Sequence, residues 1–245
     1  MSIASTDLLL YGSANLPSDD VSTTGGAIDA TMRPEYTELT ANSVIAIVSD
    51  GADTRQVTIT GRLATGAVDT ETLTLNGTTE VVGAKTFERI QKVVAASTSG
   101  TRTVTVKQGS GGATKGTIPP NEKGFYRQFN NSASATGAVT RYEKSFWKNA
   151  HGSLTLTQAQ VTLTTDGSNR IRIGLAPSND DSATITNRKT TPSSVTFVDD
   201  NVAQDVPGTT LAAGSAVGMW VEEALLSNDG AFRSSFTTQL SGSTT

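Results

Sequence analysis

The sequence predicts an all-β protein: a β-sandwich, jelly-roll or immunoglobulin-like, interrupted by an inserted immunoglobulin-like β-sandwich. Three observations carry that prediction. First, 40 Thr and 25 Ser stand among the 245 residues, and threonine, β-branched with a short polar arm, suits a half-buried pleated surface and makes a poor helix. Second, apolar residues recur with period 2 in one segment after another, as in strands with one buried face. Third, clusters of Gly, Asn, Asp, Ser and Pro separate those segments, as turns require.

Residues 7–11 read as a short strand, and residues 12–34 as loop, with Pro17, Asp19, Asp20 and the Gly25-Gly26 pair as turn formers. Residues 44–48 (Val-Ile-Ala-Ile-Val) form an unbroken apolar run, as expected of a strand buried on both faces. In residues 55–63, Val57, Ile59 and Gly61 share one face, and Thr58 and Thr60 the other. Residues 71–75 alternate through Leu73 and Leu75 into Asn76-Gly77, a strong hairpin signal. Residues 86–96 are ambiguous: Phe87, Ile90 and Val94 fit a helix, Ile90, Lys92 and Val94 a strand, and the β neighbours favour strand. Residues 101–107 alternate through Val104 and Val106.

The glycine-rich run 108–116, followed by Pro119-Pro120, reads as a connector ending an inserted domain. The predicted division is therefore 1–35 plus 121–245 for a split outer domain and 36–120 for the insertion. In the second part, Phe125, Tyr126 and Phe129 precede the aromatic strand 142–147. Leu154 and Leu156 alternate in one phase, and Ala159, Val161 and Leu163 in the other, which predicts a bulge at Thr157-Gln158. Residues 165–169 read as a hairpin loop into 170–175. Residues 179–205 are polar around Val195, Phe197 and Val198, and 211–221 and 232–240 are the last strands, with Phe232, Phe236 and Leu240 in phase.

Composition narrows function. The absence of cysteine excludes disulfides and thiolate chemistry. One histidine, His151, and a net charge of −4 leave little for acid–base work near pH 7 and argue against a nucleic-acid partner. No apolar run approaches the about 20 residues of a membrane helix, and residues 1–10 lack a basic leader, so neither membrane nor export is expected.

The individual motifs read mostly as structure. The 109–116 glycines precede Thr117-Ile118-Pro119-Pro120 rather than a helix N-terminus, which disfavours a phosphate loop. His151 lies in a turn-like Asn-Ala-His-Gly-Ser stretch, and no Gly-x-Ser-x-Gly elbow exists. Asp19-Asp20, Asp180-Asp181 and Asp199-Asp200 lack the spacing of a calcium loop and read as turn residues. No catalytic, cofactor or metal site is expected. In the stretch Arg141 to Lys148 a core strand with outward charges is expected rather than a nucleic-acid surface. The aromatic residues Phe125, Tyr126, Tyr142, Phe146 and Trp147 are the candidate core and interface residues, Tyr, Trp and Arg being frequent hot-spot anchors.

The run from Glu71 to Ile90, closing with Thr-Val-Thr-Val at 103–106, resembles β-rich modules of tailed-bacteriophage virion proteins. The pieces 7–12 (Asp-Leu-Leu-Leu-Tyr-Gly), 24–28, 140–149 and 211–221 with 232–240 resemble a second such element, into which residues 36–118 look inserted. The resemblance implies a virion protein without catalytic residues, of the decoration type. It would associate with itself and with other virion proteins, the major capsid protein foremost, and be located in the virion after assembly in the host cytoplasm. A tail, neck or baseplate protein, a receptor- or carbohydrate-binding module on the virion, and a hydrolase using His151 are the competing expectations.

Overall fold

The computed structural model describes residues 2–130, 137–228 and 234–244. Among these the only helices are the 3-10 turns Ser5–Asp7 and Pro207–Thr209, so the protein is all-β. Its strands in chain order are β1 (Leu8–Asn15), β2 (Thr24–Asp29), β3 (Met32–Arg33), β4 (Ile45–Ser49), β5 (Gln56–Leu63), β6 (Val68–Thr74), β7 (Val81–Val82), β8 (Phe87–Ala95), β9 (Val104–Gln108) and β10 (Thr114–Ile118). Then follow β11 (Gly124–Tyr126), β12 (Val139–Asn149), β13 (Leu156–Asp166), β14 (Ile171–Asn179), β15 (Thr184–Ile185), β16 (Ala203–Asp205), β17 (Thr210–Leu211), β18 (Ala216–Leu225) and β19 (Phe236–Thr244). They make two compact units, Ala30–Gln128 and Met1–Asp29 with Phe129–Thr245.

The inserted unit encloses a core between sheets of order β10-β9-β4-β7 and β3-β11-β8-β5-β6. Ile45, Ile47, Val104 and Val106 of the first pack with Val57, Ile59, Phe87, Ile90, Val93 and Phe125 of the second. The ambiguous segment is strand β8. Along β5, Thr60 faces Lys92 but Gly61 faces Ile90, and Arg62 faces Arg89 but Leu63 faces Phe87. Gln91 and Glu88 are thus the extra residues of two bulges, and they stretch strand spacing into the three-residue interval of Phe87, Ile90 and Val93.

The split unit has a six-stranded sheet, β14-β18-β12-β1-β2-β15, and a second sheet in which β13 is flanked by β16 and β17 on one edge and β19 on the other. Ala159, Val161 and Leu163 of β13 meet Ile173, Val217, Met219 and Val221 of the first sheet in one core. The phase change in β13 is a bulge: Thr157 faces Ser243, Gln160 faces Ser241, and Gln158 between them has φ +50°.

Several expectations need correction. Residues 24–29 and 32–33 are strands, not loop. Asn76-Gly77 makes a tight turn, with Thr79 N–H donating to the Asn76 carbonyl, but β6 and β7 lie in different sheets, so the turn is a corner and not a hairpin. Residues 165–169 likewise join β13 to β14 across sheets, with the Asp166 carboxylate accepting from the backbone N–H of Ser168, Arg170 and Ile171. The glycine-rich run is the turn of the β9–β10 hairpin rather than a linker. The chain leaves the inserted unit only after Gln128, because β11 is hydrogen-bonded between β3 and β8. Residues 211–221 split into β17 and the start of β18 around a turn at Gly214. Phe232 lies outside the described residues; Phe236 is half-buried and Leu240 buried, in the same phase.

Candidate functional site

Strand β12 runs between β1 and β18 in the middle of the six-stranded sheet, yet carries Arg141, Glu143 and Lys144 at 4%, 4% and 1% exposure. The expectation of outward charges is corrected here. β1 covers β12 only over residues 145–149. Beside the earlier half lies the segment of Arg188, whose carbonyl accepts from the Tyr142 N–H at 2.8 Å. That segment and the loop after β1 bring the countercharges that make burial tolerable.

Two networks result. In the first, the Asp20 carboxylate accepts from Arg141 Nε at 2.7 Å and Nη2 at 3.1 Å, with Lys189 Nζ at 3.1 Å and Arg188 Nη1 at 3.9 Å. The hydrogen bond from Arg141, aided by Lys189, holds the Asp20 pKa down at about 2. The fully buried Arg188 donates through Nη2 to Glu143 Oε1 at 2.5 Å, and its guanidinium carbon lies 5.3 Å from the Phe129 ring centroid. Glu143 also accepts from the Phe129 N–H at 3.0 Å; burial pushes its pKa up, against the pull of Arg188.

In the second network, on the opposite face of β12, Lys144 Nζ donates to Asp181 Oδ2 at 2.5 Å and to the carbonyls of Asp181, Gly26 and Ala183 at 3.0, 3.2 and 3.3 Å. The rings of Phe146 and Trp220 lie 4.9 and 5.3 Å from the same ammonium. Burial lowers the Lys144 pKa, with Asp181 opposing. Gly25, at φ +90°, lets this packing form, because a Cβ there would come within 2.6 Å of Trp220 Cη2.

The predicted residues are distributed differently from expectation. Phe125 and Tyr126 belong to the inserted unit, where Phe125 stacks on Tyr36 with centroids 5.6 Å apart. Tyr142 and Phe146 are buried in the split unit, and Tyr142 packs on Phe197. These four are buried core residues, in keeping with the core part of the expectation for them. Trp147 is half-buried, and its Nε1 donates to Thr238 Oγ1 at 3.2 Å. His151 Nδ1 accepts from the backbone N–H of Ser153 and Leu154, organising its turn.

Of the acidic pairs, Asp20 and Asp181 serve the two networks, and Asp180 Oδ1 accepts from the Ala216 N–H at 2.8 Å. Among the described residues no three His, Cys, Asp or Glu side chains converge as a metal site would require. Sequence reasoning missed Arg188 and the burial of Lys144. The available signal was the presence of charges on both phases of one aromatic strand, which no single solvent face can accommodate.

The chain matches no protein-family model, and the comparisons with curated proteins and with solved structures found none similar to it. Fold and site define a two-unit all-β protein in which buried ion pairs tie together segments distant in sequence.

Proposed function

We propose that this chain is a non-enzymatic structural protein of a tailed-bacteriophage virion, a cement protein that docks on assembled head proteins, the major capsid protein foremost, and associates with itself. The observation that most favours this reading is where the charged groups of β12 are committed. Arg141, Glu143, Lys144, Arg188, Asp20 and Asp181 bind one another and backbone carbonyls, clamping the N-terminal strands, the central strand and the 180s segment into one unit. Such cross-bracing serves mechanical persistence. A protein that binds the assembled state and not its parts stabilises that state by mass action, and repetition over a lattice multiplies the effect.

The test is immunogold electron microscopy of intact particles from the source phage, with antibody raised against this chain. Gold spread over the head is expected. Gold confined to neck or tail overturns the cement role while keeping the virion reading, and particles without gold even after gentle disruption overturn both.

A further inference from the structure

Among the described residues the sheet edges are guarded, with one exception. An unpaired edge is a template for another strand, and natural proteins blunt it with short strands, charges, proline, bulges or a covering segment. β3, β7, β15, β16 and β17 are two or three residues long. β6 carries Asp69 and Glu71, and these are tied to Lys85 Nζ and to the N–H groups of Ala84 and Lys85. β10 has a bulge between Thr114 and Gly116, and its Lys115 carbonyl is taken by the Thr37 N–H. β14 carries Arg172 and Pro177, and Val198 exchanges two backbone hydrogen bonds with Ile173.

β19 itself has none of these devices, the two bulges of its ladder with β13 adding their extra residues to β13. Its nine residues, Phe-Thr-Thr-Gln-Leu-Ser-Gly-Ser-Thr, include no charge and no proline, and among the described residues β13 is its one strand partner. The carbonyls of Thr237 and Ser243 accept from Thr164 and Thr157 hydroxyls on β13. By alternation, the N–H and C=O of Thr238, Leu240 and Gly242 turn to the open side.

We infer that β19 is a strand-pairing interface whose occupant is β19 of a second copy, antiparallel about a two-fold axis at Leu240. That register sets Leu240 opposite itself, Thr238 opposite Gly242, Gln239 opposite Ser241 and Thr237 opposite Ser243. All are neutral pairs of small or hydroxyl-bearing residues with about six backbone hydrogen bonds between them. Charge selects the location. The split unit holds 14 acidic and 8 basic residues, a net −6, whereas this strand carries no charge to set against its like in a second copy. A two-fold contact must be self-complementary, and a neutral strand meets that demand without opposing charges in register.

The inference deepens the self-association included in the proposed function, and its test uses the purified full chain, so its failure leaves the virion placement untouched. Sedimentation equilibrium is expected to give twice the chain mass. The variants Q239K/S241K and Q239E/S241E each set like charges opposite one another on exposed positions, and each should weaken association at least about tenfold. They move the net charge of −4 in opposite directions, so a loss in both reports local repulsion rather than overall charge. Mixing the two restores the dimer. A monomeric wild type, a dimer indifferent to both variants, or a mixture that stays monomeric overturns the inference.

Discussion

The substitution Asp20→Asn isolates the first ionic network. The Asp20 carboxylate is 23% exposed, and its pKa falls from the ordinary 3.8 to about 2 through its bonds with Arg141 and Lys189. That displacement is worth about 2 to 3 kcal/mol at neutral pH. The folded value lies below the unfolded one, so this stability is present in full above 3.8 and is lost as the pH falls through about 2; roughly half remains at pH 3. Removing the charge also takes from the buried Arg141 its hydrogen-bonded carboxylate, leaving Glu223 at 3.8 Å and the more distant pull of Glu143, which raises the expected cost at pH 7 to about 3 to 4 kcal/mol. The assay is urea unfolding followed by tryptophan fluorescence, since both tryptophans, Trp147 and Trp220, belong to the split unit. A midpoint shift that shrinks between pH 7 and pH 3 is expected. A cost under about 1 kcal/mol at pH 7, or an equal cost at both pH values, would refute the account of Asp20 as a clamp.

Three further outcomes follow from the same geometry. Gly25→Ala should destabilise the split unit by about 2 to 4 kcal/mol, because the new methyl meets Trp220 at a residue with φ +90°; near-UV circular dichroism and the urea midpoint read it. Lys144→Met should cost about 3 to 5 kcal/mol by stranding the Asp181 carboxylate, whereas the double variant with Asp181→Leu should recover part of the loss in a double-mutant cycle. Phe125→Ala should cost the inserted unit about 3 to 5 kcal/mol. At urea concentrations that unfold this unit alone, stopped-flow tryptophan fluorescence should show the split unit refolding about tenfold more slowly.

The legible parts of the fold were those determined by local pattern. The apolar run of β4, the alternation of β5 and β9 and the inverted phase at Thr157-Gln158 are visible as spacing because each is set within a few residues. What stayed hidden depended on partners far along the chain. Asn76-Gly77 forms its turn as the dipeptide dictates, but whether β6 and β7 then pair is decided by which sheet each strand's apolar face completes. The run 108–116 has the composition of a linker and the position of a hairpin turn; only the ladder from Thr114 to Ile118 on β9 separates the two. The ionic networks were the least legible, since Asp20 and Arg141 are 121 residues apart and Lys144 and Gly26 are 118 apart. Their trace was indirect: an aromatic strand with charges on both faces requires buried partners, without saying where they come from.

The split arrangement also explains why the inserted unit should govern the folding of its host. β2 ends at Asp29 and β12 begins at Val139, so β1 and β2 can meet β12 only by closing the loop of residues 30–138. Within the inserted unit, Met32 and Arg33 lie parallel to and paired with Gly124 and Phe125, which brings the two ends of that loop together. Once this pairing exists, the route from Asp29 to Val139 passes through only about 20 residues, and the closure entropy falls by about 1.5 kcal/mol. If the pairing precedes assembly of the six-stranded sheet, the difference appears as about a tenfold change in rate, which is the slowing expected of Phe125→Ala. The substitution acts at that junction, since Phe125 is both the β3 partner of Arg33 and fully buried among the core residues of the inserted unit. An unchanged tryptophan refolding rate would mean that β1 and β2 find β12 without help from the insertion. The ion pairs from Asp20 to Arg141 and from Lys144 to Asp181 would then be the candidates for drawing the two halves together.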